Sequence, residues 1–266
     1  MIPRWTSDAA THPGYVRHQN EDALFDGPSV GLWAVADGMG GHAAGDVASS
    51  TIVERLEQLK PADTLSHFTD DVEDALLGAN ARLREIAIRR NGQTIGSTVV
   101  ALLIRGRFAL CLWAGDSRAY HLRGEQITQI TQDHTLIEEF KDSGLLSSDE
   151  AEAHPQANLV TKAIGAHDDL FLDMEMVEIA PGDRFVLCSD GLDLELTPEE
   201  IRTVVSGAPD APATALVDRA LSNECRDNVT AVVVCIDPDP DLGLKDSSAG
   251  SATESSRADR LMDVEQ

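Results

Sequence analysis

Carboxylates recur beside glycines at the ends of apolar segments in this 266-residue chain. Residues 31–42 read GLWAVADGMGGH, so a short apolar run leads directly into Asp37 and a glycine-rich stretch. Asp116 and Asp190 follow apolar runs in the same way and also lie beside a glycine. A single Asp-Gly pair is ordinary turn chemistry. Its repetition indicates acids brought to one edge of a sheet, where their oxygens would suit Mg²⁺ or Mn²⁺.

A hairpin is predicted around the first of these acids. The turn signal of residues 26–29 precedes the strand predicted over residues 31–36. A turn centred after Ser29 places Asp22 opposite Asp37, at about 5 Å in such ladders. Like charges at that distance are unfavourable, so either the register differs or a cation lies between them.

Six acids share a position just outside an apolar strand: Glu21, Asp22, Asp37, Asp116, Asp190 and Asp227. Their convergence without counter-charge would be costly in a partly buried cleft, and divalent cations remove that cost. Gly38 is a further candidate ligand, because nothing obstructs the approach of a metal to its carbonyl. Neither His nor Cys recurs at these strand ends, which argues against a zinc hydrolase.

The elements that must position these acids alternate between helical and strand periodicity. Helices are predicted over about residues 43–59, 70–89 and 213–221, and strands over residues 5–10, 97–104, 108–113, 119–122, 126–130, 170–179, 184–188 and 229–236. Thr197, Pro198 and Glu200 stand at the N-cap, first and third positions of another predicted helix. Residues 132–165 break the β pattern and form either a flap over a site or a static surface excursion.

Composition excludes several classes of protein. The formal net charge of −25 argues against binding to nucleic acid.

Residues 237–266 contain eight acidic and three basic residues, and we expect an acidic disordered tail after one domain of residues 1–236. We also expect a cytoplasmic protein, since neither a membrane span nor a secretion signal is recognisable. The four scattered cysteines predict buried, reduced thiols rather than a zinc site or disulfides.

Five motifs carry the acids in order along the chain. They are Arg17 with Asn20-Glu21-Asp22, Asp37-Gly38-Met39-Gly40-Gly41-His42, Gly115-Asp116-Ser117-Arg118, Ser189-Asp190-Gly191-Leu192 and Asp227-Asn228-Val229-Thr230. This set resembles the metal-dependent protein phosphatase family, type 2C, in its compact bacterial form, over nearly all of residues 14–236. The resemblance implies an α+β fold, a four-layer α-β-β-α sandwich of two packed antiparallel sheets flanked by helices.

The resemblance also implies hydrolysis of phosphoserine and phosphothreonine in proteins at a centre of two Mn²⁺ or Mg²⁺ ions, with a third, weaker one. Two cations about 3.5–4 Å apart lower the pKa of a bridging water and stabilise in-line displacement at phosphorus. By this resemblance, Asp37 would bridge both metals and Gly38 would supply a carbonyl. The remaining metal ligands would be Glu21, Asp22, Asp190 and Asp227, with Asp116 and Asp190 at the third metal.

The resemblance further implies that Arg17 binds the substrate phosphate, a role that suits its planar fork because the fork can make two charge-assisted hydrogen bonds. A salt bridge to neighbouring acids is its alternative role. Eukaryotic relatives have a histidine where this chain has Met39, whose thioether cannot donate a proton. His42 is a candidate acid, with a role at a helix start and a metal-bound water as the alternatives. His134 and His154 of the flap are candidate substrate neighbours.

A second departure from the family is Asp193, where relatives usually carry a neutral residue. It is either surface charge or a modifier of metal affinity or peptide preference. The predicted partners are phosphorylated proteins and a cognate serine/threonine kinase, and the protein is expected to be a monomer. A catalytically silent scaffold on the same fold is the competing hypothesis, and an acidic β-sandwich interaction protein is a third.

Overall fold

The computed structural model describes residues 4–40, 44–90, 93–143, 159–208 and 210–237. The strands are β1 (Trp5–His12), β2 (Asp22–Gly27), β3 (Leu32–Gly40), β4 (Ile95–Ser97), β5 (Val99–Arg105), β6 (Phe108–Ala114), β7 (Arg118–Arg123), β8 (Gln126–Gln129), β9 (Asp173–Glu178), β10 (Arg184–Cys188) and β11 (Val229–Ile236). The helices are α1 (Gly45–Leu56), α2 (Leu65–Arg89), α3 (Leu136–Asp142), α4 (Asp190–Asp193), α5 (Pro198–Gly207) and α6 (Pro212–Ser222). These elements follow the predicted order of helices and strands.

The strands form two antiparallel sheets. One has the order β1-β11-β10-β7-β8, and the other has the order β2-β3-β5-β6-β9 with β4 paired to β3. Three apolar cores separate the layers, one between the sheets and one between each sheet and its helices. The predicted four-layer α-β-β-α sandwich is therefore confirmed.

Alternation along each central strand explains why the layers form. In β3, Leu32 and Ala34 pack toward α1 and α2, whereas Trp33 and Val35 pack between the sheets. In β11, Val233 faces the helical layer of α5 and α6, while its neighbours face the other sheet. Because successive strand residues point to opposite faces, a strand that is apolar on both faces is buried by both layers.

The β2–β3 hairpin has the predicted register, with Asp22 opposite Asp37. The predicted end of the second strand was wrong, because β3 continues through Gly40 and pairs with β4 from Gly38 onward. A glycine-rich sequence indicates a loop, but backbone hydrogen bonds to β4 hold it extended here. The backbone beside Asp37 is thus part of a sheet on both sides.

Parts of the predicted organisation lie outside the described residues. These are His42, His154, residues 144–158 of the flap and residues 238–266 of the tail, so the flap and tail boundaries remain predictions. The described parts of residues 132–165 contain α3 and the isolated bridge between Thr135 and Val160. All four cysteines are free thiols, and three of them are buried as predicted, whereas Cys235 is only partly buried. Within the described residues, no helix has the length and apolar character needed to cross a membrane.

Candidate metal and phosphate site

A cleft of about 390 Å³ lies at one end of the sandwich, where strands of both sheets end. Its lining brings together five of the six predicted acids, and Asp22 lies opposite Asp37 in the adjoining strand. The described lining consists of Arg17, Glu21, Asp37, Gly38, Met39, Gly40, Thr98, Asp116, Leu159, Val160, Asp190, Asp227 and Asn228. The cleft is therefore acidic, with one arginine at its rim.

Asp22 connects the two sheets beside this cleft. Its Oδ2 accepts hydrogen bonds from Ser189 Oγ at 2.8 Å and from Thr230 Oγ1 at 2.7 Å. Burial raises the pKa of Asp22 to about 6 against the lowering effect of these two bonds. Ser189 and Thr230 stand in the predicted motifs, but no role was predicted for them. The only indication in the sequence is a hydroxyl at the end of an otherwise apolar strand.

Asp37 is fixed through its backbone. Its N–H donates to Thr98 Oγ1 at 3.1 Å, and its carbonyl accepts from the Thr98 N–H at 2.9 Å. Thr98 Oγ1 also lies 2.7 Å from Ser117 Oγ, next to Asp116. Thr98 thus links two acid-bearing segments, a role that sequence reasoning missed because Thr98 occurs within an apolar strand pattern.

The acids raise one another's pKa. Burial, followed by the charges of Asp22 and Asp190, raises the pKa of Asp37 well above its ordinary value. Burial and Asp190 raise the pKa of Asp116 to about 7, and burial and Asp227 raise the pKa of Asp190. Like charges in a partly buried cleft cannot all ionise without a compensating cation. The cleft carboxylates therefore need an added positive charge if all of them are to be ionised.

Gly38 lies between two other backbone segments. A Cβ at this position would lie 2.0 Å from the Gly45 carbonyl oxygen and 2.7 Å from that of Glu21. A Cβ on Gly45 would in turn come within 2.6 Å of both Glu21 Oε1 and the Gly38 carbonyl oxygen. A carboxylate oxygen and a carbonyl oxygen thus border the same small space, and only glycines leave that space open.

Arg17 is exposed and forms an ion pair with Asp227, with Nη2 2.7 Å from Oδ2. This is the alternative role considered for it. The pair raises the pKa of Arg17, with the Asp227 hydrogen bond as the main cause. The neighbouring Asn228 organises the segment that carries Glu21. Its Oδ1 accepts from the Glu21 N–H at 2.8 Å, and its Nδ2 donates to the carbonyls of Pro13 and Gln19.

His134 does not border the cleft, so its prediction as a substrate neighbour was wrong. It is buried, and its ring stacks on Trp113. The ring Nδ1 of His134 accepts from the Gly115 N–H at 3.1 Å, and the backbone N–H of His134 donates to the Gly115 carbonyl at 3.0 Å. Its Nε2 lies 2.8 Å from Asp173 Oδ2. His134 therefore holds the backbone next to Asp116 from inside the protein.

Asp193 is not surface charge, because its side chain is only 9% exposed. Its Oδ2 lies 3.0 Å from Arg118 Nη1, and Arg118 also forms an ion pair with Asp133 at 2.7 Å. Burial and Asp133 raise the pKa of Asp193 to about 8, although Arg118 opposes the shift. The other role predicted for Asp193, an effect on metal affinity or peptide preference, remains a prediction. Such an effect could be transmitted through Arg118, which lies two residues after Asp116.

The donor set fits a hard divalent cation. Carboxylates and a backbone carbonyl are the ligands that Mg²⁺ and Mn²⁺ prefer, and the lining contains no His or Cys among the described residues. Asp22 Oδ1 is buried without a hydrogen-bond partner among those residues. However, no three acidic, histidine or cysteine side chains in the described ranges are spaced to hold one ion by themselves. Carbonyl and water oxygens would complete the coordination, as is usual for these cations.

Comparison with known proteins agrees with this geometry. Residues 16–227 match the family described as protein phosphatase 2C. The serine/threonine protein phosphatase PstP of Mycobacterium tuberculosis H37Rv is 35% identical over 228 residues, which are 85% of this chain and 44% of that protein. The chain therefore spans less than half the length of this curated relative.

Solved structures match over nearly their whole length. PppA, a key regulatory component of T6SS in Pseudomonas aeruginosa, is 42% identical with a TM-score of 0.82, covering 88% of this chain and 99% of PppA. The catalytic domain of PstP in complex with two manganese ions is 32% identical with a TM-score of 0.79, covering 89% and 100% of the two chains. With the family match extending from Val16 to Asp227, this chain belongs to the protein phosphatase 2C family.

Proposed function

We propose that the protein is a metal-dependent protein serine/threonine phosphatase, which hydrolyses phosphoserine and phosphothreonine in proteins. The observation that carries this proposal is the meeting of acids from both sheets around one cleft with Arg17 at its rim. Acids alone would indicate cation binding, and an arginine alone would indicate anion binding. Their combination favours a phosphate ester bound between a cation centre and a guanidinium group.

In this proposal Asp37 would hold both of two Mn²⁺ or Mg²⁺ ions, and the Gly38 carbonyl would contribute to one of them. Glu21 and Asp22 would contribute directly or through water. Asp190 and Asp227 would hold the second ion, and Asp116 with Asp190 would offer a weaker third site. A bound pair of such cations supplies the activated water and the charge stabilisation that displacement at phosphorus needs.

The other residues bind and orient the substrate. Arg17 exchanges its ion pair with Asp227 for two phosphate oxygens, since its fork matches both acceptors. Asn228 keeps the Arg17–Glu21 segment in place through two hydrogen bonds to its backbone, at Gln19 and Glu21, and a third to the carbonyl of Pro13. Met39 lines the cleft but cannot donate a proton to the leaving oxygen. His42 remains a candidate acid and lies outside the described residues.

The biological setting belongs to the same proposal. The enzyme would act as a monomer in a bacterial cytoplasm and oppose a serine/threonine protein kinase. Its catalytic domain would end near residue 236, with residues 132–165 as a flap and residues 237–266 as an acidic tail. The similarity to bacterial serine/threonine phosphatases supports this setting without identifying the substrate.

The test measures the release of inorganic phosphate from a phosphothreonine peptide with and without Mn²⁺. We expect turnover that requires Mn²⁺ and falls at least 100-fold in Asp37→Asn, because this change removes the proposed bridging charge. Asp71→Asn is the matched control, since Asp71 lies on α2 and pairs only loosely with His67 at 3.9 Å.

The outcomes separate the competing functions. No Mn²⁺-dependent turnover by the native protein, together with Mn²⁺ binding in calorimetry, would favour the silent scaffold. Turnover by Asp37→Asn at the native rate would instead refute the metal assignment. A loss of activity in Asp71→Asn equal to that in Asp37→Asn would show a general effect of removing a carboxylate.

A further inference from the structure

A second depression adjoins the acidic cleft on the far side of Arg17. It has a volume of about 500 Å³, and we call it the side groove. Its walls include Val16, Leu194, Glu195 and Arg226, and it shares Arg17 and Asp227 with the acidic cleft. A ligand whose phosphate reaches Arg17 therefore has the side groove directly next to that phosphate.

The side groove presents unusual apolar surface. Val16 is 53% exposed and Leu194 is 60% exposed, although both are large hydrophobic residues. Tyr15, at 65%, is exposed in a depression that shares Val16 and Arg226 with the side groove. Adjacent exposed apolar residues beside a proposed active site are typical of a surface that binds a ligand.

Each wall of the side groove is continuous with a part of the acidic cleft. Val16 directly precedes Arg17, Arg226 directly precedes Asp227, and Leu194 ends the helical turn that begins at Asp190. Val16 and Arg226 are therefore each about 3.8 Å, measured between Cα atoms, from a charged residue of the acidic cleft, and Leu194 lies one helical turn from Asp190. The side groove is thus placed for residues that flank a phosphorylated one.

The walls are held together before any ligand binds. The Tyr15 N–H donates to the Cys225 carbonyl at 3.0 Å. Gly14, at φ +73°, packs so closely that a Cβ there would lie 2.1 Å from the Asp227 carbonyl oxygen. The buried Cys225 Sγ lies 3.6 Å from the Gly191 carbonyl oxygen, which ties the α4 segment to the same place. A preformed groove loses little entropy when a peptide binds.

The charges that line the side groove are balanced. Two arginines and two acids line it, whereas the whole protein carries a net charge of −25. Arg226 forms no ion pair with any described residue, and Glu195 offers an opposite charge on the same walls. Apolar contact with Val16 and Leu194 is therefore the distinguishing feature.

We propose that the side groove binds an apolar side chain of the phosphoprotein substrate, one or two residues from the phosphorylated serine or threonine. This inference rests on the proposed phosphatase function and adds a preference among its substrates. The occupant is an extended, phosphorylated segment with a Leu-sized residue next to the phosphate.

The test compares phosphothreonine peptides that differ only at the flanking positions, with Leu, Ser, Asp or Lys on either side. For the native protein with Mn²⁺, we expect kcat/KM to be at least 10-fold higher for the best Leu peptide than for the Ser peptide, the range typical of an apolar pocket. We expect Leu194→Ser and Val16→Ser to reduce this ratio to less than 3-fold. Leu77→Ser is the matched control, because Leu77 is similarly exposed on α2.

Equal kcat/KM for all peptides, or a Leu preference that both groove variants retain, would overturn the inference while leaving the phosphatase function intact. A preference for Asp or Lys would overturn it in favour of selection by charge. If no peptide is turned over, fluorescence anisotropy of the same labelled peptides decides the matter. Tighter binding of the Leu peptide that is lost in Leu194→Ser would keep the groove and reject catalysis, whereas equal binding would reject both.

Discussion

The two carboxylate oxygens of Asp22 have different surroundings. Oδ2 accepts hydrogen bonds from Ser189 and Thr230 of the opposite sheet, whereas Oδ1 is buried without a partner among the described residues. One oxygen is thus fixed and the other is left for a ligand. The sequence predicted Asp22 opposite Asp37, since that pairing is local to a hairpin. It did not predict Ser189 and Thr230, because those contacts depend on how the two sheets pack.

Asp183 lies away from the cleft, at a site without a proposed metal. Its pKa is lowered, whereas the pKa values of Asp37, Asp116 and Asp190 in the cleft are raised. The buried carboxylate of Asp183 accepts from Arg123 at 2.8 and 2.6 Å and from the Ala180 N–H at 2.8 Å. Burial alone would raise the pKa of Asp183, but these hydrogen bonds hold it below the ordinary value. A lowered carboxyl pKa contributes stability above the unfolded-state pKa of about 4, and that stability is lost as the pH falls further.

Asp183→Asn is therefore expected to lower the free energy of unfolding by about 2–3 kcal/mol at pH 7, the size of charge-assisted hydrogen bonds. The difference between native protein and variant should narrow below pH 4, where the native carboxylate gains a proton. Urea unfolding from pH 8 to pH 3 measures the difference between the two unfolding free energies. The cleft acids are the same in both proteins, so their contributions cancel in this difference. A difference that is the same at pH 7 and pH 3 would contradict the charged interaction.

At the level of elements, the sequence predicted what local rules determine. The hairpin register follows from its turn, and the start of α5 follows from its capping residues. The extension of β3 through Gly40 could not be predicted, because its partner β4 lies more than 50 residues away. The same limit applies to His134, which the flap sequence placed near the substrate and tertiary packing placed in the interior.

The capping box of α5 allows an element-level prediction. Thr197 Oγ1 accepts from the Glu200 N–H at 3.4 Å, and Glu200 Oε2 accepts from the Thr197 N–H at 3.0 Å. Thr197→Ala should lower the free energy of unfolding by about 1 kcal/mol. Denaturant unfolding measures this, with Ser66→Ala in the exposed first turn of α2 as the control that should not destabilise. Equal effects of the two changes would argue against the cap.

At the level of the molecule, net charge and cation binding predict different responses to salt. Raising NaCl should increase the melting temperature gradually, because the charge of −25 repels itself in the folded state and salt screens that repulsion. Mn²⁺ at 100 times its dissociation constant should add about 2.7 kcal/mol to the free energy of unfolding, since it binds the folded state.

Thermal unfolding at matched ionic strength separates these two effects. Native protein should gain more stability from Mn²⁺ than from NaCl, and Asp37→Asn should lose most of that extra gain. An equal shift from both salts in the native protein would indicate screening alone and would remove the support for a specific cation site.

The pairing of β1 with β11 has a consequence for synthesis. β1 is an edge strand beside β11, with Trp5 opposite Ile236 and His12 opposite Val229. During synthesis, β1 therefore has no neighbour in its sheet until residue 236 has left the ribosome. Asp227, Asn228 and Thr230 arrive in the same final stretch. Prematurely terminated chains would thus lack both a closed sheet and a complete set of acids, so the proposed activity would appear only in chains translated through β11.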